Sequence, residues 1–229
     1  MSSAPSSTRN HSQRVLLKDR AYEELKMLIQ TGVLEAESSV SERHLVERLG
    51  MSKTPIRAAL ELLEQQGLVA VSPQKGILIK ELSARDVGEL FEIRNSLEPF
   101  VVSELAARSI SSIQISQLQE NLDSQQIYSK SGNAVESTRL DIEFHKMLAS
   151  FLDNREMMGW LDRCFDKLHR SILRINRLVP GRLMKSTEDH IEIVAAVQQG
   201  QRTEVAQLMR SHLKYGRAFL LGASGDHDV

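Results

Sequence analysis

The chain has 229 residues, 41% hydrophobic but only 4% aromatic, and a formal net charge of −1. That length suits two modest domains, and no apolar run approaches the roughly 20 residues of a membrane span. The Ser-rich start lacks the hydrophobic stretch of a targeting segment. A lone Cys164 excludes an internal disulfide and fits a reducing, cytoplasmic setting. Its neighbours Trp160, Leu161, Phe165 and Leu168 mark it as a packed core thiol.

Residues 1–12 (MSSAPSSTRNHS) are small and polar, and are expected to form a disordered tail. The first domain, residues 13–80, opens with a helix from Leu17 to Thr31. Ala21, Leu25, Leu28 and Ile29 share its inward face, and Gly32 ends it. Ser41–Lys80 then reads as two short helices, a glycine turn and a β-hairpin. Leu45, Val46 and Leu49 sit at helical spacing before Gly50. Ser52 is placed to cap the second helix, with Pro55 in its first turn, where a missing N–H costs little. Ile56, Ala59, Leu60 and Leu63 face inward, Lys53, Thr54 and Arg57 outward, and Gly67 ends the helix. Val69–Val71 and Ile77–Ile79 flank a turn-rich tip at residues 72–76. This is the layout of a winged helix-turn-helix, with cations at the start of the second helix and on the wing.

The same segment resembles the DNA-binding domain of the GntR superfamily. The shared pattern is Ser-Glu-Arg, Leu-Gly, Ser-Lys-Thr-Pro-Ile-Arg, Leu-Glu-x-x-Gly-Leu and a glycine-tipped wing, each present here. DNA contacts are therefore expected at Arg43, Ser52, Lys53, Thr54, Arg57, Lys75 and Gly76. The near-neutral net charge is no obstacle, because it is unevenly spread. Residues 1–80 hold 11 Lys and Arg against 9 Asp and Glu, and the rest of the chain 18 against 21. A small cationic face suffices when a homodimer doubles it on a double-stranded operator.

Residues 81–85 read as a linker, with Ser83 and Asp86 spaced as a helix cap. Residues 86–222 follow a helical pattern broken near Ser109–Ser112, Ser129–Asn133, Asp153–Asn154, Val179–Gly181 and Gln199–Gly200. About six helices result, before a tail at 223–229. The fold class is mainly α: a winged helix-turn-helix followed by an all-α bundle.

The second domain carries a separate chemical signal. Asp141 and His145 are four apart on a face shared with Phe144, Leu148 and Leu152. His190 falls on a stripe with Val194 and Val197, on a helix that Ser186 is placed to cap. His212 lies beside Val205, Leu208 and Met209. An acid and three imidazoles facing inward are costly unless paired. One divalent cation would satisfy all four, with Zn, Ni, Mn or Fe as acceptors of such a set. Taken singly, each histidine equally suits a hydrogen-bonded core position. His11, His44, His169 and His227 fall outside the pattern.

This part of the chain resembles the FCD domain of the FadR branch of the GntR superfamily. The matching pieces are Ile93-Arg94-x-x-Leu97-Glu98, Asp141-x-x-x-His145, Asp153-Asn154, His190 in Glu-Asp-His-x-x-Ile-x-x-Ala, and Met209-x-x-His212-Leu213. The resemblance, VanR-like in its helix number, implies a divalent metal held by Asp141, His145, His190 and His212. It also implies a small organic acid as effector, for which Arg94 offers a guanidinium fork, unless Arg94 pairs with Glu98 one turn away. Gln201 departs from the Asp often found there. The sequence thus describes a ligand-responsive regulator, most simply a repressor of an inverted-repeat operator, rather than an enzyme. A metal sensor or a metal-dependent hydrolase fused to a DNA-binding module are the competing readings. No H-E-x-x-H or G-x-S-x-G motif supports the hydrolase.

Overall fold

The computed structural model describes residues 7–72 and 74–224. The chain divides into two compact units, Met1–Glu81 and Leu82–Val229.

The first unit starts with α1, Ser7–Gln30. The stretch from Ser7 to Ser12, expected to belong to a disordered tail, is helical, since neither Gly nor Pro interrupts it. Residues 1–6 of that tail lie outside the described residues. α2 (Glu42–Leu49) and α3 (Lys53–Gln65) form the helix-turn-helix. Ser41 caps α2 by accepting from the His44 N–H at 3.1 Å. Gly50 closes α2 in the left-handed conformation, φ 63°, donating to the Val46 carbonyl at 3.0 Å. An eight-residue helix is too short to persist alone, so packing must hold α2. Leu45 and Leu49 are buried with Ile56, Ala59, Leu60 and Leu63 of α3 against Ala21, Leu25 and Ile29 of α1. Ser52 stands at the N-cap of α3 as expected, yet its side chain makes no capping hydrogen bond.

The wing is β2 (Val69–Ser72) with β3 (Gly76–Ile79), antiparallel. A third strand, β1 (Ser39–Val40), adds to the far edge of β3 and gives the order β1-β3-β2. Two residues are too few to show alternation, so sequence patterning had no means of marking β1. Gly76 adopts φ 81°, and a Cβ there would stand 2.9 Å from the Val40 carbonyl oxygen. The close approach of β1 to the wing therefore requires glycine twice over, for backbone conformation and for space.

The second unit is a bundle of α4 (Ala84–Arg108), α5 (Ser112–Lys130), α6 (Ala134–Ser150), α7 (Arg155–Leu178), α8 (Gly181–Gln198) and α9 (Arg202–Ser224). Ser83 and Asp86 form a complete capping box at the start of α4, the Ser83 hydroxyl accepting from one backbone N–H and the Asp86 carboxylate from the other. α4 lies against α9, α5 and α7 against α6. Phe91, Leu105, Leu118, Phe144, Leu148, Leu161, Phe165 and Leu168 fill the core, together with Cys164. One expectation fails: α8 begins at Gly181 after Pro180, so Ser186 is not a cap but an interior residue. Residues 225–229 lie outside the described residues, and 223–224 end α9.

Gly76→Ala should lower stability by about 1–2 kcal/mol for the left-handed backbone alone, and by more once the 2.9 Å contact is forced. Gly50→Ala, with open space around its Cβ, should cost only the backbone part. Urea denaturation followed by circular dichroism would rank the two, and equal losses would mean that β1 yields to the added methyl.

Candidate DNA-contacting face and metal centre

In the first unit, burial of Pro55, Ile56, Ala59, Leu60 and Leu63 turns the opposite side of α3 outward. Ser52, Lys53, Thr54 and Arg57 are all exposed, at the end of the helix where free N–H groups and the dipole favour phosphate. Without a capping bond, the Ser52 hydroxyl is available to an external acceptor. Arg57 donates from Nε to the Glu42 carboxylate at 2.8 Å, which leaves its two terminal nitrogens facing outward. Arg43, also exposed, pairs with Glu47 at 2.8 Å. Glu64 is drawn off this face, accepting from the Val71 N–H at 2.7 Å and tying α3 to the wing. Lys75 is exposed beside Gly76, and its carbonyl accepts from the Ser39 hydroxyl. The cations expected at DNA thus lie exposed on α2 (Arg43), α3 (Lys53, Arg57) and the turn of the wing (Lys75).

The second unit gathers Asp141 and His145 of α6, His190 of α8 and His212 of α9, with one ligand atom of each within 4.8 Å of the others. Nε2 of His212 lies 3.2 Å from Nε2 of His145 and 3.4 Å from Nε2 of His190. Oδ1 of Asp141 is 3.7 Å from the last. These separations suit a common cation, because metal–nitrogen bonds of about 2.0–2.1 Å place neighbouring ligands roughly 3.0–3.4 Å apart.

What fixes the rings is the other nitrogen of each. Nδ1 of His145 meets the Glu98 carboxylate at 2.6 Å, Nδ1 of His190 meets Oε1 of Gln125 at 2.8 Å, and Nδ1 of His212 meets the Asp189 carboxylate at 3.2 Å. The Gln125 amide is oriented by its own donation to Oδ1 of Asn121 at 2.6 Å, so an oxygen faces His190. All three partners only accept, so each Nδ1 carries the proton and each Nε2 presents a lone pair to the centre. Three lone pairs meeting without a proton between them repel, and a cation resolves the conflict. Ser186, displaced from its expected cap, donates to Oδ1 of Asp141 at 2.7 Å and orients that ligand.

Electrostatics follow the same plan. Burial pushes His190 well below its usual pKa, and burial with the neighbouring imidazoles lowers His212. Both rings are thereby kept neutral, as ligands must be. Burial works to raise the Asp141 carboxyl, but the electrostatic pull of the surrounding His190, His145 and His212 rings and of Arg182 outweighs it and holds it well below the carboxylate range. At Glu98 the Arg94 guanidinium and the hydrogen bond from His145 likewise outweigh burial and bring the pKa to about 2.

Arg94, expected to receive an effector, is committed to its alternative partner. It is 3% exposed, donates from Nε to Glu98 at 2.5 Å, and lies 5.0 and 4.6 Å from the ring centroids of Phe91 and Phe165. Its place is behind the metal centre, holding the carboxylate that orients His145. Sequence reasoning missed Gln125, Asp189 and the supporting role of Ser186. The available signal was a polar residue on an apolar stripe, as Gln125 is with Leu118 and Leu122.

Known proteins point the same way. The FCD domain family matches residues 89–215, and the gntR family of bacterial regulatory proteins matches residues 17–79. The chain is 28% identical over 195 residues to the HTH-type transcriptional regulator YdhC of Bacillus subtilis, covering 85% of this chain and 86% of that one. It is 26% identical over 176 residues to the HTH-type transcriptional repressor RspR of Escherichia coli, covering 76% of each. The solved structure of Escherichia coli McbR/YncC superposes with a TM-score of 0.81 at 21% identity, over 90% of this chain and 98% of that one. YdhC and RspR are both named as transcriptional regulators rather than enzymes.

Purified protein should carry close to one divalent ion per chain by elemental analysis, and His212→Ala should lose it. Asp189→Ala, which removes the acceptor behind His212 along with the exposed Lys185 pair, should weaken metal binding about 10–100-fold in a competition titration with a chromogenic chelator, a loss that Lys185→Ala should not reproduce. Unchanged affinity would show that the Nδ1 partner does not set the ring.

Proposed function

This chain belongs to the gntR family of bacterial regulatory proteins that carry an FCD domain, and is a DNA-binding transcriptional regulator; on that premise we propose that a resident divalent metal and a small organic acid control its hold on DNA. A homodimer in the cytoplasm presents two α3 helices to successive major grooves of an inverted-repeat operator and represses by occupying it. Lys53, Thr54 and Ser52 engage phosphates, Arg57 reads base edges with the terminal nitrogens that Glu42 leaves free, Arg43 holds the backbone, and Lys75 with Gly76 brings the wing to the minor groove.

The observation that carries the effector half of this reading is the convergence of three Nε2 lone pairs with Asp141 in a buried centre. Zn or Ni fits the N₃O donor set, with Mn or Fe acceptable. The metal supplies a Lewis-acid site for a carboxylate. The protein's own part is to hold the ligand rings by Glu98, Gln125 and Asp189, and to keep Arg94 on Glu98 behind them. With His145, His190 and His212 at most 7% exposed and Asp141 less buried, an ion held there would exchange slowly while keeping one side open to a ligand, which favours a resident metal over one sampled as a signal. α4, which carries Arg94 and Glu98, follows the wing strand in sequence after a few residues. It is the covalent route by which a change at the centre reaches the DNA-binding unit.

Arg57→Ala should cost about 1–3 kcal/mol of operator affinity and relax sequence preference, whereas Lys75→Ala should weaken all sequences evenly with a shallower salt dependence. Gel-shift titrations on operator and scrambled DNA separate the two, and wild-type binding by Arg57→Ala would move the recognition surface elsewhere. Effector coupling of about 1–3 kcal/mol should shift operator affinity roughly 5- to 150-fold, reciprocally with acid affinity. An operator titration with metal-loaded protein, with and without the small carboxylate that gives the largest thermal shift, reads this. Release driven instead by chelator and reversed by metal alone would favour the metal as the signal.

A further inference from the structure

α4 carries apolar side chains on two opposite sides. Val87, Leu90, Phe91, Val101, Val102 and Leu105 face the core of the second unit. Ile93, Leu97 and Phe100 recur at helical spacing on the other side, where Ile93 and Leu97 are half-buried and Phe100 is 49% exposed. Trp160 of α7, 50% exposed, stands across from this second stripe. Glu89, Glu92, Ile93, Ser96, Leu97 and Trp160 line an open groove of about 530 Å³. A helix that is apolar on both sides has two faces to cover, and the bundle covers one. Aromatic rings beside half-buried aliphatic groups make a continuous patch, unlike the single apolar residues of an ordinary surface.

The patch carries its own complement of charge. Glu92 of α4 and Arg163 of α7 are both exposed, and neither has an ion-pair partner among the described residues. Glu89, by contrast, is already held by Arg85 at 2.8 Å. The Arg163 guanidinium lies 4.2 Å from the Trp160 ring centroid and steadies the indole at the edge of the groove. An unpaired acid on one helix and an unpaired base on the next make this face self-complementary. Under a two-fold axis Glu92 of one copy meets Arg163 of the other, and the reverse pair forms at the same time. A partner bearing charge of one sign would satisfy only one of the two.

We infer that the outer face of α4, with Trp160 and Arg163 of α7, docks a second copy of this chain. The inference rests on the homodimer of the proposed function and assigns it a surface. Trp160 and Arg163 are the residue types that anchor protein interfaces, and Ile93, Leu97 and Phe100 supply the apolar middle that the Trp160 of the second copy packs against. The contact also lies next to the metal centre. Ile93 and Leu97 face the second copy, while their chain neighbours Arg94 and Glu98 hold His145 from the other side of α4.

The test is sedimentation of the full-length, metal-loaded chain over a concentration series, with circular dichroism to check the helix content of each variant. Wild type should sediment at twice the mass of one chain. Trp160→Ala should raise the dissociation constant about 30-fold or more, the scale of losing an interface anchor. Glu92→Lys should raise it about tenfold or more by setting like charges against each other across the axis. The swap that combines Glu92→Lys with Arg163→Glu should recover most of that loss, and both positions are exposed, so the fold tolerates it. A wild-type chain that stays monomeric would overturn the homodimer reading and this surface with it. A wild-type dimer that the single variants leave intact, or that the swap fails to restore, would overturn this surface alone and leave the groove to a different protein.

Discussion

Three imidazoles aimed at one buried point are the constraint on which the second unit is built. Each ring has two nitrogens, and the bundle settles both. Acceptor-only groups on α4, α5 and α8 take the Nδ1 protons, so the Nε2 lone pairs must face one another. Such an arrangement costs free energy in an apolar core unless something positive sits between the rings. The carboxylate of Asp141 brings the charge balance toward what a divalent ion needs, and Ser186 holds it in place. Five helices, α4, α5, α6, α8 and α9, supply the ligands or their first partners, so the centre also fixes how the helices lie.

Two buried arginines of the second unit are held very differently. Arg94 is neutralised by Glu98 and stacked between two phenylalanines, so it serves the ligand shell rather than standing open. Arg182 is buried with a single amide oxygen and no paired carboxylate among the described residues. The difference separates two cations that look equivalent in the sequence. One is committed to the architecture of the metal site, and the other is left with unmet bonding capacity beside it.

The first unit solves a different problem. It must be rigid and present cations, with only a modest apolar core. Its acidic residues are used inwardly or in pairs. Glu64 binds the wing backbone, Glu42 holds Nε of Arg57, and Glu47 holds Arg43. Gly76 lets β1 lie against the wing, so the hairpin is braced on both edges of β3.

Much of this was legible in the sequence. Periodicity marked the helices, Gly50 and the Ser83–Asp86 pair marked their ends, and Asp141 with three inward histidines marked a cluster that could hold a metal. Each is a local property, expressed within one or two turns of backbone. What sequence could not give depends on which distant side chains meet. A two-residue β1 carries no pattern of its own. Ser186 looks like a cap until α8 is seen to start at Gly181, and only then does its hydroxyl find Asp141. Gln125, Asp189 and Glu98 acquire meaning from the ring nitrogen each one touches, across as many as 65 residues of chain. The sequence by itself determined the elements and the ligand types. Packing of α4 through α9 decided the tautomers, the role of Arg94 and the isolation of Arg182, because hydrogen-bond satisfaction in a buried core is settled by three-dimensional neighbours.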